Sequence, residues 1–277
     1  WPSKPVRFVV PYPPGGSHDV LTRITAQAMA PGLGQQIVID NRVGGAQTIG
    51  TEMVVRATPD GYTLLMGTPA TVITPLLHKT PTYDAIKDLQ PISLATTQPM
   101  GVLISNKLGV SSIQELVKYA QAHPGKVNFA SAGIGSGAHL AAELFLYETQ
   151  TKMSHIPYKG VGAAISDIIG SQRDLVLFTT LPSATPLARS GKLRVVAVST
   201  KERVSVMPEV PTFIESGVSG YVMEYWYGLI APAAVSPDFR KRIHAMASDI
   251  LRQPDMVANL SKQGLQPTYR SPEEFAA

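Results

Sequence analysis

The stretch VVPYPPGGSHDVLTRITAQAM, residues 9–29, places two prolines and two glycines between an apolar run and a helical pattern. Before the loop, PVRFVV has the composition of a buried strand. After it, Leu21, Ile24 and Ala28 fall on one face of a helix. The stretch predicts a strand, a glycine-rich loop and a helix, in that order.

The same succession of strand, loop and helix recurs along the chain. YTLLMG leads through Thr68 into ATVITPLLH, KVNFAS leads through AGIGSG into AHLAAELFLYE, and DLVLFTT leads through LPSATP into LARSG. LRVVAVST and YGLIAP predict further strands, and DFRKRIHAMASDILRQP predicts a helix. Ser271 and Glu274 have capping-box spacing, so a last helix begins there. Strands that alternate with helices predict an α/β fold with parallel sheets, whose ligands bind beyond the carboxyl ends of the strands.

Composition restricts the class of protein. The 277 residues suffice for two domains with cores of their own. The net charge of +4 comes from scattered lysines and arginines, which argues against nucleic-acid binding. The absence of cysteine excludes disulfides, thiolate nucleophiles and cysteine-rich zinc sites. No apolar run approaches the ~20 residues of a membrane span. The chain enters a strand almost at once, as an exported chain does after its targeting segment is removed.

The first loop has two interpretations. Gly15 and Gly16 permit backbone conformations that are closed to other residues, and the prolines before them stiffen the loop. The first N–H groups of the following helix lack intrahelical partners, so together with the helix dipole they form an anion site that needs no arginine. The alternative is a turn that only connects strand to helix, with Ser17 or Asp19 as its N-cap. The loop alone leaves both open.

A second loop, SAGIGSGAH at 131–139, repeats this arrangement. Ser131 and Ser136 supply hydroxyls among the glycines, which are Gly133, Gly135 and Gly137. The spacing lacks the third glycine of G-x-G-x-x-G, the lysine of a P-loop and the G-x-S-x-G of a nucleophile elbow. Nucleotide binding and α/β-hydrolase chemistry lose their usual signatures, and no cofactor is expected.

Histidines beside the two loops admit catalytic and metal-binding alternatives. Ser136, His139 and Asp167 form a candidate triad, and His139 joins His18 and His155 as candidate metal ligands. Such trios are easy to find by chance among six histidines and many serines, and no metal-ligand spacing is present. We therefore expect His139 to orient its loop or to donate to a ligand, and His18 to be a solvated loop residue.

Asp19 stands beside the predicted anion site, where its charge would repel an anionic ligand. The helix dipole favours a carboxylate in the first turn. We expect Asp19 to bond the loop's own amides or an ordered water, with direct ligand contact as the alternative. Several aromatic residues either wall an apolar pocket or belong to the core. They are Tyr12, Phe178, Tyr225, Trp226 and Tyr227.

Eight segments along the whole chain together resemble one family. They are WPSKPVRFVVPYPPGGSHD, LGQQIVIDNRVGGAQTIG, ATPDGYTLL, NFASAGIGSGAHLAAELF, HIPYKG, LRVVAVSTKER, PEVPTFIESG and YWYGLIAP. In this order and spacing they resemble the Bug-type solute receptors of tripartite tricarboxylate transporters, which are periplasmic binding proteins. Two features depart from the family pattern. His18 occupies a variable position of the first motif, and members usually continue for a helix beyond SPEEFAA, which predicts a truncated or incompletely ordered chain.

The resemblance implies a periplasmic binding protein fold of the type II kind, with two α/β domains and a ligand cleft between them. Domain 1 would comprise residues 1–100 plus 222–277, and domain 2 residues 101–221. In the family, amides, hydroxyls and bridging waters of the two glycine-rich loops hold a ligand carboxylate. The resemblance implies these loops here as residues 13–16 and 131–136. With the residues that the loop chemistry itself singles out and two threonines at equivalent strand ends, the predicted ligand-binding residues are Tyr12, Pro14, Gly15, Gly16, Ser17, Asp19, Thr68, Ser131, Gly135, Ser136, His139 and Thr179.

The sequence thus predicts a non-catalytic, monomeric receptor in the periplasm. It would capture a dicarboxylic or aromatic acid by hinge closure and present it to membrane subunits of a tripartite tricarboxylate transporter. No cofactor, metal or nucleic acid is expected. An α/β enzyme that uses Ser136 and His139 on a carboxylic acid is the alternative. A sensor or adaptor that shares the cleft and differs only in its protein partner is a third possibility.

Overall fold

The computed structural model describes residues 1–15, 17–170, 174–262, 264–268 and 270–276. Gly16, a predicted ligand contact, lies outside these residues, and so does the side chain of Ser17. The chain divides into two compact units, of which unit 1 is Trp1–Thr97 with Trp226–Ala277 and unit 2 is Gln98–Tyr225. That these units are the two domains of a ligand cleft stays a prediction.

The chain passes between the units inside two long strands, β4 (Leu89–Ser105) and β9 (Glu224–Pro232). The other strands of unit 1 are β1 (Val6–Val10), β2 (Ile37–Asn41), β3 (Thr63–Gly67) and β10 (Gln266–Pro267). Its helices are α1 (Ser17–Leu33), α2 (Thr48–Val55), α3 (Pro69–Leu76), α4 (Ala85–Asp88), α9 (Pro237–Leu251), α10 (Pro254–Lys262) and α11 (Pro272–Ala276).

The sheet of unit 1 is built around β1, which pairs in parallel with β2 on one side and β3 on the other. β9 runs antiparallel to β3, with Leu65 opposite Ile230, and β10 runs antiparallel to β4. Val9, Leu65 and Ile230 lie together in an apolar cluster. Because β1 and β3 are parallel neighbours, the loops that follow them emerge side by side at one edge of the sheet.

Over the described residues, unit 2 has four strands besides its parts of β4 and β9. Its strands are β5 (Asn128–Ser131), β6 (Ser154–Pro157), β7 (Leu175–Thr180) and β8 (Leu193–Val198), and its helices are α5 (Ile113–Ala122), α6 (Gly137–Thr149), α7 (Val161–Gly170) and α8 (Leu181–Arg189). β5 pairs in parallel with β6 and β7, whereas β4 runs antiparallel to β7 and β8. The loops after β5 and β7 therefore also emerge side by side.

The predicted strand–loop–helix units are confirmed, as are the strands at β8 and β9 and the helix α9. The expectation of parallel sheets is wrong for β9, which is antiparallel to β3, and for β4, which is antiparallel to β7, β8 and β10. Alternation of strands and helices predicts local structure only. It does not predict where a crossing strand joins a sheet or in which direction the strand runs. No sequence pattern predicted β4, since buried polar residues interrupt its apolar run: Ser93, Thr96, Thr97 and Gln98.

Helix α1 forms as predicted, but its buried face is turned from the predicted one. Leu21 is fully buried, whereas Ile24 and Ala28 are only half-buried. The buried stripe instead runs through Leu21, Thr25 and Met29, at a spacing of four residues. Because the buried stripe includes the polar Thr25, hydrophobicity alone does not identify the face of α1 that packs on the core.

Candidate ligand-binding site

The loop after β1 has the backbone conformation for which the sequence selects glycine. Gly15 has φ of +86°, in the left-handed region, and a Cβ placed there would meet no atom within 4 Å. The Gly15 N–H donates to Asp19 Oδ2 at 2.9 Å. Conformational freedom of the backbone, rather than lack of space, is therefore the reason for glycine at this position.

Asp19 ties the loop together. Its Oδ2 also accepts from Arg23 Nε at 2.9 Å, and its Oδ1 accepts from Asn41 Nδ2 at 2.9 Å. Burial alone would raise the pKa of Asp19, but the bonds from Arg23, Gly15 and Asn41 outweigh it and lower the pKa to about 2. The prediction that Asp19 bonds the loop's own amide is confirmed. Its charge is neutralised by Arg23, so repulsion of an anionic ligand is reduced.

His18 is not the solvated loop residue that the sequence predicts. It lies in α1 with 4% of its surface exposed, and its Nε2 donates to the Met66 carbonyl at 2.7 Å. The ring packs between Tyr12 and Tyr227, with centroids 4.7 and 5.2 Å away. Burial lowers the pKa of His18 to about 3, against smaller opposing effects of Met66 and Asp19. The ring is therefore neutral. The prediction of a solvated His18 is wrong because the hydrogen-bond partner, Met66, lies in β3, far from His18 in the sequence.

Gln47, which the sequence analysis does not single out, connects two predicted ligand residues. Gln47 Nε2 donates to the Tyr12 hydroxyl at 2.7 Å, and Gln47 Oε1 accepts from the Thr68 hydroxyl at 2.9 Å. Gln47 has only 6% of its surface exposed, and Thr68 is fully buried. Thr68 is the N-cap of α3, and its N–H donates to Thr71 Oγ1 at 3.1 Å. The loops after β1 and β3 are thus joined through one carboxamide.

The loop after β5 is held by a serine–histidine pair. The fully buried Ser131 Oγ lies 2.6 Å from His155 Nε2 and accepts from the Gly133 N–H at 3.0 Å. Burial, and after it the neighbouring His139, lowers the pKa of His155 to about 4, so Nε2 of the neutral ring can accept a hydrogen bond from the Ser131 hydroxyl. Ser131 therefore fixes the shape of its loop.

His139 orients the same loop, one of the two roles that the sequence predicts for it. Its Nδ1 accepts from the Gly135 N–H at 3.2 Å, and its Nε2 lies 3.5 Å from Glu143 Oε1. Burial lowers the pKa of His139, and Glu143 opposes that shift. Since Gly135 has φ of +77°, the loop turns in a conformation that favours glycine.

The candidate catalytic groups are not assembled in unit 2. Ser136 Oγ accepts from the backbone N–H of His139 at 3.3 Å as the N-cap of α6, a bond that does not involve the imidazole. Asp167 accepts a short hydrogen bond from Tyr158. A triad needs the base ring on the nucleophile and the carboxylate on that ring, and neither bond is among the interactions of these described residues.

The remaining predicted residues occupy strand ends or the core. Thr179 is buried on β7, opposite Gly101. Phe178 packs against Phe145 and Tyr221, with centroids 5.5 and 6.5 Å away, and so belongs to the core of unit 2. Tyr225 and Tyr227 are buried as well, and Trp226 packs edge-on against Phe275. Tyr12 is half-buried, and Pro14 is exposed at the surface of its loop.

Each unit brings two helix N-termini to one sheet edge. In unit 1 these are α1 and α3, which follow the parallel neighbours β1 and β3. In unit 2 they are α6 and α8, which follow the parallel neighbours β5 and β7. Within the described ranges no group of three His, Cys, Asp or Glu side chains could hold a metal ion, and no helix is long and apolar enough to cross a membrane. The first backbone N–H groups of these four helices are neutral hydrogen-bond donors.

Comparison with known proteins identifies the family to which the chain belongs. The model of the tripartite tricarboxylate transporter family receptor matches residues 21–277. Protein BugT of Bordetella pertussis is 33% identical over 277 residues, which cover 99% of this chain and 84% of that protein. The periplasmic binding protein BugD is similar in structure, with a TM-score of 0.85 and 31% identity over 100% of this chain and 93% of that one.

Two similar solved structures were determined with carboxylates. Rpa4515 of R. palustris with adipate has a TM-score of 0.87 and is 30% identical in sequence. The match covers 99% of this chain and 92% of the Rpa4515 chain. MatC of Rhodopseudomonas palustris with bound malate has a TM-score of 0.86 and is 30% identical in sequence. The match covers 100% of this chain and 95% of the MatC chain.

Two α/β units joined by crossing strands define a periplasmic binding protein fold, which confirms the predicted fold class. The chain belongs to the tripartite tricarboxylate transporter receptor family, and among its relatives are Bug proteins. This family consists of periplasmic solute-binding receptors rather than enzymes. The expectation of a non-catalytic receptor is therefore confirmed, and the Ser136–His139 enzyme alternative is set aside.

Proposed function

We propose that this receptor captures a small dicarboxylic acid in the cleft between its two units, closes around it by hinge motion, and presents it to the membrane subunits of a tripartite tricarboxylate transporter. The proposal includes a monomeric protein in the periplasm. The observation that carries it is the pair of helix N-termini at one sheet edge of each unit. Free N–H groups at such termini favour a carboxylate.

The ligand residues are assigned by the bonds they already make. Ser136 accepts from His139, so its own hydroxyl proton remains to be donated to a carboxylate. In contrast, Asp19 and Ser131 bond several groups of their own loops, which favours a role in shaping those loops. We assign direct contact to Tyr12, Pro14, Ser136 and the first amides of α1 and α6. Gly16 and Ser17 remain predicted contacts on sequence grounds.

The proposed ligand class rests on relatives and on charge. Adipate and malate, the ligands named for two relatives, are C6 and C4 dicarboxylates. Near the two loops, the charge of Arg23 is engaged by Asp19, and His18 and His155 are neutral because burial lowers their pKa values. Recognition by neutral donors predicts an affinity that depends less on salt than an arginine clamp would, since buried dipoles are poorly screened. An aromatic acid is the second candidate, with Tyr12 as its stacking surface.

The fluorescence of Trp226 can report hinge closure. Trp226 lies in β9 at the first residue of unit 1 after the crossing, and the only other tryptophan is Trp1. In a Trp1→Phe variant, closure on the ligand should change the emission of Trp226. An emission spectrum that stays constant while calorimetry records saturable binding would contradict closure.

A thermal-shift screen tests the ligand class. The panel contains mono-, di- and tricarboxylates, amino acids and aromatic acids. A ligand at 100 times its Kd stabilises the native state by about 2.7 kcal/mol, which raises Tm by about 5–10 °C for a chain of this size. We expect a C4–C6 dicarboxylate to give the largest shift. Shifts confined to amino acids or aromatic acids would contradict the dicarboxylate proposal.

A further inference from the structure

The turn before α2 has an uncommon backbone. Four consecutive residues have positive φ: Gly44, Gly45, Ala46 and Gln47, at 131°, 56°, 49° and 81°. Two of the four are not glycine, although side chains with a Cβ disfavour the left-handed region. Such residues persist where the surrounding structure determines their conformation, and they cluster at ligand sites.

The contacts of this turn explain how the conformation is held. The Ala46 carbonyl accepts from Thr74 Oγ1 of α3 at 3.2 Å. The Gln47 carboxamide uses both ends, on Tyr12 at 2.7 Å and on Thr68 at 2.9 Å. Tyr12 and Thr68 lie in the loops that follow β1 and β3, the parallel pair at whose edge the ligand is proposed to bind. The disfavoured backbone thus places one buried amide between two ligand loops.

We propose that Gln47 is a positioning residue for the ligand: its carboxamide, anchored on the buried Thr68 hydroxyl, holds the Tyr12 hydroxyl in the orientation that binding requires. This inference rests on the proposed function, because it assigns a role in that same site. Without the amide, the Tyr12 hydroxyl would have to be ordered when the ligand binds, and ordering of polar side chains on binding weakens affinity. The fully buried Thr68 hydroxyl would also lose the partner that it has in Gln47.

The informative variant is Gln47→Met, which keeps the length of the side chain and removes both hydrogen bonds. Ala46→Gly is the matched control, because it changes the neighbouring left-handed residue, whose side chain is exposed. Affinities for adipate and malate are measured by calorimetry, and Tm is measured without ligand. We expect Gln47→Met to weaken binding about tenfold or more, which corresponds to 1.4 kcal/mol. Ala46→Gly should raise Tm and leave affinity unchanged.

A double-mutant cycle separates positioning from general loss of structure. If Gln47 acts through Tyr12, Gln47→Met should weaken binding much less in a Tyr12→Phe background than in the wild type. Additive losses in the cycle would overturn the inference. So would wild-type affinity of Gln47→Met, or an equal loss of affinity in Ala46→Gly, and each of these results would leave the receptor function standing.

Failure of the proposed function has a different signature. If the wild type binds neither probe nor any dicarboxylate of the panel, the ligand class is wrong. The same cycle is then measured on the unfolding equilibrium without ligand. A coupling of about fivefold or more between Gln47 and Tyr12 would support the positioning contact, and the absence of coupling would overturn it.

Discussion

The imidazole rings of His139 and His155 stack with their centroids 4.3 Å apart and their planes 22° from parallel. One ring accepts from the Gly135 amide and the other is paired with Ser131, so the stack supports the whole loop after β5. Glu143 is the carboxylate that faces His139, at 3.5 Å. The loop therefore depends on two neutral imidazoles in contact.

Acid should destabilise the protein well above the pH at which carboxylates titrate. The folded pKa values of His18 and His155, about 3 and about 4, lie below the unfolded value of 6.5, so the unfolded chain takes up protons first. Stability is full above pH 6.5 and falls as the pH drops towards 4, by about 1.4 kcal/mol per pH unit for each such histidine. Asp19 adds a further loss between its unfolded pKa of 3.8 and about 2. Chemical denaturation at pH 7.5 and 5 measures the difference, and equal stability at both would contradict the assignment of neutral buried rings.

Substitution of His18 should make the acid dependence shallower. His18→Phe keeps a buried ring and removes the group with pKa about 3. It also leaves the Met66 carbonyl without its 2.7 Å donor, at a cost of about 1–3 kcal/mol at pH 7.5. We expect a less stable protein whose stability changes less between pH 7.5 and 5. A variant with the slope of the wild type would show that His18 does not titrate abnormally.

Gly15→Ala tests the first loop, with Gly34→Ala as its control. Both glycines have positive φ, +86° and +66°, and both have open space where a Cβ would stand. Each substitution should therefore cost about 1–2 kcal/mol of stability through the backbone alone. Gly15 precedes α1 at the proposed site, whereas Gly34 follows the other end of that helix. Only Gly15→Ala should weaken ligand binding, and equal affinities in the two variants would remove this loop from the site.

Gly137→Ala tests the packing of α6 on the crossing strand. An added Cβ would stand 2.2 Å from the ring of Tyr225, in β9. The ring has to move, so we expect a loss of about 1–3 kcal/mol in the free energy of unfolding. Gly162→Ala in α7 meets no neighbour and should instead stabilise by about 0.5–1 kcal/mol. Urea denaturation of both variants measures the contrast, and a gain of stability in Gly137→Ala would contradict the close contact.

Local patterns predicted the parts of the fold that local interactions determine. Gly15 and Gly135 are glycines because their backbones are left-handed, and Ser136 caps α6 through a bond three residues away. The capping box between Ser271 and Glu274 is likewise confirmed. Each of these features joins residues that are near neighbours in sequence, which a motif can record.

The missed features depend on partners far along the chain. His18 is buried where its Nε2 can donate a hydrogen bond to the backbone carbonyl of Met66, 48 residues away in the chain. Gln47 became visible only when Tyr12 and Thr68 were found at its two ends, 35 and 21 residues away. No periodicity signals such contacts. An amide in a glycine-rich turn, where a glycine would fit the backbone, is the one local sign that could have drawn attention to Gln47.

The central claim is that the receptor binds a small dicarboxylic acid and does not convert it. The most direct measurement is isothermal titration of adipate and malate into protein that has been unfolded, freed of any bound molecule and refolded. We predict saturable 1:1 binding of at least one of the two acids, with the acid recovered chemically unchanged. Absence of binding to both acids and to the other C4–C6 dicarboxylates, or recovery of an altered acid, would contradict the account.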